Sequence, residues 1–308
     1  PVTVNAPALT SDCTPTLTGS SNLPPGSTVT LTVTDFNGAV QSFTTTVRAD
    51  GPDSVDVPAP LAEGPYTAVA NVNGPGGTTA AANDNGVVDI TPPVITVDAP
   101  ALTNDSTPPL AGTTDLPPGS TITLTVTGAN GVSQLFSSTV QAGGVFSVDV
   151  PAALVSGPFS VSARGTDAAG NTATASDNGV VDTVPPSITI DAPALTNDTT
   201  PLLTGTTDLP AGSAITLTVT GANGAVQTFT TSVQAGGVYS VDVPAALVEG
   251  NFSVTASGAD AAGNTATASD SGLIDITAPA ITVDAPALTN DTTPTLTGTT
   301  NLPAGSTV

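Results

Sequence analysis

Hydrophobic residues recur at every second position in short runs along the chain. In TITLTVT, residues 121–127, Ile122, Leu124 and Val126 alternate with threonine, which is the period of a strand with one buried face. The stretch 93–185 predicts six more strands: ITVDA at 95–99, PPLAGTT at 108–114, VSQLFSSTV at 132–140, VFSVDVP at 145–151, FSVSARG at 159–165 and TATASDNGVVD at 172–182. GANG, QAGG and AAGN separate several of them with the glycine and asparagine of tight turns. PAALV at 151–155 is the longest run with any helical character. Seven short strands joined by Gly, Pro and Asn turns predict an all-β sandwich of immunoglobulin-like design. Phe136, Phe146 and Phe159 would place one aromatic on each of three strands of its core.

The whole pattern is repeated. Asp98, Asp191 and Asp284 each open the string DAPALTND at a constant spacing (191−98 and 284−191 are both 93), and Asn5 opens NAPALTSD one period earlier. Fixed self-similarity at this length means domains in series. The expected organisation is an extended array of immunoglobulin-like repeats at 1–92, 93–185 and 186–278, followed at 279–308 by the start of an incomplete fourth. The third repeat matches the aromatic set with Phe229, Tyr239 and Phe252, and the first keeps Phe43 and Tyr66. Pro1 in place of an initiator methionine is expected of an excerpt or a processed chain.

Charge narrows the partners. Against 25 acidic residues stand only Arg48 and Arg164, with no Lys or His, for a net charge of −23. Such a chain cannot neutralise phosphates, so nucleic acid is excluded as a partner. It has no polybasic segment for an anionic membrane surface and no run of about 20 apolar residues for direct membrane insertion. Cys13 is the one cysteine, and one and two periods on its place is taken by Ser106 and Thr199, so it reads as a small side chain and no disulfide framework exists. All acids but Glu63 and Glu249 are Asp, the shorter carboxylate, which favours turns and serves as an oxygen ligand for metals.

Immunoglobulin topology gives those carboxylates a geometry. The B–C, D–E and F–G loops lie at the pole where the chain comes in, and the A–B, C–D and E–F loops lie where it leaves. The first junction should therefore gather Asp89, Asp115, Asp167 and Asn171, and the second Asp182, Asp208, Asp260 and Asn264. Three carboxylates and a carboxamide with no cation nearby suit Ca2+, which takes six to eight oxygens. Without an ion, like charges would crowd each joint. Taken one at a time the same residues also read as turn formers, because Asx side chains cap turns and AAGN is a natural hairpin tip, but their recurrence as a facing set at one period favours metal. The N-terminal pole of the first repeat has Gly74, Thr78 and Asn22 instead, and the third seam pairs Asp275 with Asn301 alone, so both should be poor in metal. Asp84, Asp177 and Asp270 read as further ligands or as a bulge in the last strand. Asn104 with Asp105, and Asn197 with Asp198, suggest a second site in the A–B loop. No linear EF-hand loop is present.

The string GTDAAGNTATASDNGVVDTVPPSITIDAP, from Gly165 to Pro193, resembles bacterial immunoglobulin-like repeats, in which a D-x-x-G-N turn precedes a strand ending in V-D-T-x-x-P at the domain border. That resemblance covers three whole repeats and part of another. It implies the stalk of a giant type-I-secreted surface adhesin or biofilm protein, extracellular, with calcium between neighbouring repeats as a stiffener. An enzyme is disfavoured, since His and Lys are missing and no GxSxG motif occurs. The implied function is a structural spacer whose partners are the neighbouring repeats of its own chain, with self-association through the incomplete fourth repeat and an adhesive target the sequence does not identify. The other readings are a segment of an extracellular filament and a ligand-binding adhesive module.

Overall fold

A computed structural model describes residues 1–49, 53–74 and 77–308. Every regular element among the described residues is a strand, PAALV included among the non-helical connections. The chain forms two compact units, residues 1–183 and 184–308.

In the first unit, β1 (Val2–Asn5), β2 (Thr16–Ser21), β3 (Thr28–Thr34), β4 (Val40–Thr46), β5 (Asp53–Asp56), β6 (Gly64–Asn73) and β7 (Thr79–Val88) make one sandwich. Its sheets run β1-β2-β5 and β4-β3-β6-β7. The fourth strand lies beside the third because a tight hairpin joins them, closed by Gly38 N–H to Asp35 O at 3.0 Å, and a turn that short leaves no other neighbour. The second sandwich repeats this with β8 (Pro109–Thr113), β9 (Thr121–Thr127), β10 (Ser133–Thr139), β11 (Val145–Asp149), β12 (Gly157–Thr166) and β13 (Thr172–Val181), ordered β11-β8 and β10-β9-β12-β13. The strand expected at 95–99 is reduced to two isolated bridges, Ile95 with Thr114 and Asp98 with Ala111. It is short because the chain then leaves that sheet: Thr103 bridges Val181 of the other sheet in parallel, as Thr10 bridges Val88.

This crossing explains the SDNG motif. Asp84 accepts from Ala6 N–H at 2.9 Å and Asp177 accepts from Ala99 N–H at 2.9 Å, fastening the crossing segment to the last strand. Two residues on, a Cβ on Gly179 would lie 2.3 Å from Pro100 O and 2.6 Å from the Phe159 ring. Only glycine admits that approach. The last strand pairs in unbroken register through both Asp residues, so they mark no bulge; they are the socket for the first strand.

The second unit carries β14 (Leu195–Thr196), β15 (Leu202–Thr206), β16 (Ala214–Thr220), β17 (Val226–Ser232), β18 (Val238–Asp242), β19 (Gly250–Ala259) and β20 (Thr265–Ile274). Here the crossing segment is a short strand, β14, parallel to β20, and Asp270 accepts from Ala192 N–H at 2.8 Å. Each sandwich has its own core, around Leu17 and Tyr66, Leu110 and Phe146, and Leu203 and Tyr239 respectively. Beyond Asp275, residues 279–308 pair through two bridges, Ile281 with Thr300 and Asp284 with Thr297. Leu296 there is 61% exposed, whereas its equivalents Leu110 and Leu203 are wholly buried.

Candidate functional site

The hairpin between β12 and β13 is shaped by two residues at its ends. Asp167 N–H donates to Asn171 O at 3.0 Å, and the Asp167 carboxylate accepts from Gly170 N–H at 2.8 Å and Asn171 N–H at 2.9 Å. Gly170 sits at φ 99°, which glycine adopts without steric cost. The remaining carboxylate oxygen, Oδ2, accepts from Asn171 Nδ2 at 2.9 Å. The same Nδ2 also donates across the repeat boundary to the main-chain carbonyl of Asp89, at 2.7 Å. Burial pushes the Asp167 carboxyl up, but the donors from the Asn171 side chain and backbone, Gly170 and Ala169 outweigh it and hold the group below the ordinary carboxylate range.

Asp89 and Asp115 flank this contact from the linker and the loop after β8. Asp89 N–H donates to Thr10 O at 2.9 Å, and its carboxylate accepts from Thr91 N–H at 3.2 Å. Thr91 Oγ1 in turn donates to Glu63 Oε1 at 2.6 Å. Asp115 accepts from Val94 N–H at 2.9 Å. Residues 89–94 are thus fastened backward to the first sandwich and forward to the second. The three carboxylates of the predicted set each cap a local backbone N–H, and among the described residues no three or more acidic, His or Cys side chains come together as a metal-holding group.

A divalent ion at this joint would meet two convergent oxygens, Asp89 O and Asp167 Oδ2, both aimed at Asn171 Nδ2. Calcium needs six to eight. Thr91 N–H and Val94 N–H each engage one oxygen, Oδ1, of the Asp89 and Asp115 carboxylates, so further ligands would come from their second oxygens once the loops turn them toward the ion.

Of the second predicted set, Asp182 belongs to the first unit, where its N–H donates to Thr103 O at 2.8 Å. Asp208, Asp260 and Asn264 belong to the second. There Asp208 accepts from Ser187 N–H at 2.9 Å, and Asp260 accepts from Ala262 N–H, Asn264 N–H and Asn264 Nδ2, each at 2.9 Å. The Asn264 side-chain donor leads in holding the Asp260 carboxyl below its usual range. At the third seam Asp275 accepts from Thr277 N–H at 3.0 Å and Asn301 from Ala280 N–H at 2.8 Å. In the A–B loop, Asp105 and Asp198 close Asx turns on Thr107 and Thr200, each accepting from the backbone N–H at 2.8 Å and from the hydroxyl at 3.0 Å. Those turns leave the carboxylates engaged within their own loop.

The pairing of Glu63 with Thr91 escaped the sequence reading, and so did its copy, Thr277 Oγ1 to Glu249 Oε1 at 2.6 Å. The signal was present: the chain has only two glutamates, and each stands 28 residues before a linker threonine.

Serial two-sheet sandwiches, the first two joined by a linker that is hydrogen-bonded on both sides, define a tandem immunoglobulin-like protein. The chain belongs to the bacterial Ig-like domain family, which matches residues 3–90, 96–183 and 187–278. It is similar to a solved tetra-tandem repeat in the extending region of a large adhesion protein, at 34% identity over 97% of this chain and 80% of that one, with a TM-score of 0.34. It is also similar to a Ca2+-stabilized adhesin that helps an Antarctic bacterium reach out and bind ice, at 30% identity over 92% and 76%, TM-score 0.42. A third similar chain comes from a 1.5-MDa bacterial ice-binding adhesin, at 26% identity over 89% and 98%, TM-score 0.40. No curated protein sequence matches the chain.

Proposed function

We propose that the chain is a non-catalytic structural spacer from the extracellular part of a bacterial surface adhesin, with calcium at its inter-repeat joints. The observation that carries this reading is the double fastening of residues 89–94, back to Thr10 and Glu63 and forward to Asp115 and Asn171. A flexible tether has no use for such bonds, whereas a spacer must pass position from one sandwich to the next. Membership of the bacterial Ig-like family and the recurrence of the same turn, socket and core in successive repeats agree with it. So does a composition lacking His and Lys, the commonest proton carriers and amine nucleophiles.

Calcium enters through charge. With 25 acids and 2 bases, only ions from solution can offset the carboxylates that the repeat border accumulates. The ligands at the first joint are Asp89, Asp115, Asp167 and Asn171, recruited by small movements of the loops that carry them. Calorimetric titration of the full chain tests the ion, with hydrogen exchange at residues 89–94 read in calcium and in chelator. Uptake with slowed exchange in the linker is expected. No uptake would remove calcium from the reading, and specific binding of the full chain to a glycan array or to cells would replace spacer by adhesive module.

A further inference from the structure

We infer that the joint between the first two repeats is closed without metal, by the Asn171 carboxamide, and that a divalent ion must displace this amide to bind. Asn171 Nδ2 lies 2.7 Å from Asp89 O and 2.9 Å from Asp167 Oδ2. Both are pure acceptors, so the amide must turn its NH2 toward them; the opposite rotamer would set three oxygens together with no proton between them. One N–H serves the hairpin and the other serves the preceding repeat. The bond to the Asp167 carboxylate is charge-assisted and fixes the half-buried amide in place, and the bond across the repeat boundary is a short neutral one to a main-chain carbonyl.

The two oxygens that hold the strut are the two that converge on any cation at this place. Amide and ion therefore compete, and for an ion to bind, the carboxamide has to rotate and offer Oδ1 instead. This competition rests on the calcium reading above; the strut itself does not. It also reverses what charge alone suggests for the joint. Replacing Asn171 by Asp removes the donor and puts a second carboxylate beside that of Asp167 and the main-chain carbonyl of Asp89. The joint should then be loose without metal, yet bind calcium more tightly than the natural residue allows.

Spin labels at Thr44→Cys and Ser137→Cys, in a Cys13→Ser background of the full chain, read the distance between the first two repeats. In chelator the natural joint should give a narrow distribution, and N171A and N171D a distribution at least twice as wide, with unchanged far-UV circular dichroism. In calcium N171D should narrow again and titrate several-fold tighter than the natural chain. Should the variants misfold, the natural chain decides: in chelator its Asn171 side-chain NH2 should show slowed proton exchange, lost as calcium is added. A wide natural distribution in chelator, or narrow ones in both variants, would overturn the strut. Calcium binding by N171D no tighter than by the natural chain would overturn the competition. If the natural chain takes up no calcium, the calcium reading fails, and the strut is still decided by the chelator measurements.

Discussion

The side-chain amide of Asn171 donates to the backbone carbonyl of Asp89, 82 residues earlier and one repeat back. The acceptor is main chain, so the identity of the Asp89 side chain is irrelevant to the bond. Asp89→Asn should therefore leave the metal-free joint intact, since asparagine also accepts from Thr91 N–H, while lowering calcium uptake at that joint. Titration calorimetry and linker hydrogen exchange in chelator would separate the two effects; a linker loosened in chelator would show that the carboxylate itself holds the joint.

Acid should weaken the sockets of the first strand. Backbone donors from Ala99 and Asn178 hold Asp177 below its usual range, and donors from Ala192 and Ser271 do the same for Asp270. A depressed folded value means stability fully present above the unfolded value of about 3.9 and lost as pH falls through the lower folded one. Melting temperatures should be flat near neutrality and drop below about pH 4, less steeply in the double variant Asp177→Asn with Asp270→Asn. An equal drop in that variant would place the acid sensitivity elsewhere.

Gly179→Ala should be among the most damaging single-methyl changes in the chain. Its Cβ would lie 2.3 Å from a backbone oxygen that cannot retreat without dragging the crossing segment off the last strand. A loss at or above the roughly 1–3 kcal/mol of ordinary overpacking is expected, read by denaturant unfolding. A near-neutral result would mean the crossing segment is not held as described.

Because the three cores are separate, a cavity should stay local. Leu124, wholly buried, packs only in the second core, and Leu124→Ala should cost about 2–5 kcal/mol, a large part of one domain's stability. Calorimetric scans should show one transition moved down and the others in place. A common shift of all transitions would mean the repeats unfold as one.

The pattern of alternation located the strands within a residue or two, because burial on one face imposes period two and the turns use Asn and Gly. The strand at 95–99 was over-read: its residues alternate correctly, but a crossing between sheets depends on Asp177 far along the chain, and nothing local announces it. The acidic turn at Asp167–Asn171 was legible as a border device. What was hidden is where each carboxylate points. Asp89, Asp115 and Asp208 all cap a backbone N–H close by in space, and a sequence shows the side chain without showing the donor that claims it.

In each of the first two sandwiches the chain comes in beside the strand on which it leaves, and the two run in the same direction. Thr103 N–H to Val180 O, Val180 N–H to Ala101 O and Asp182 N–H to Thr103 O stitch the second repeat's ends together at 2.8–3.1 Å. Tension applied through the two ends acts along these strands, so it strains all three bonds at once in shear and cannot peel them one after another. Each bond alone is modest, yet they must fail together before the core feels the load. Mechanical strength in this chain therefore resides in a few backbone pairs at the mouth of each repeat, where proline is the one common residue able to delete a donor.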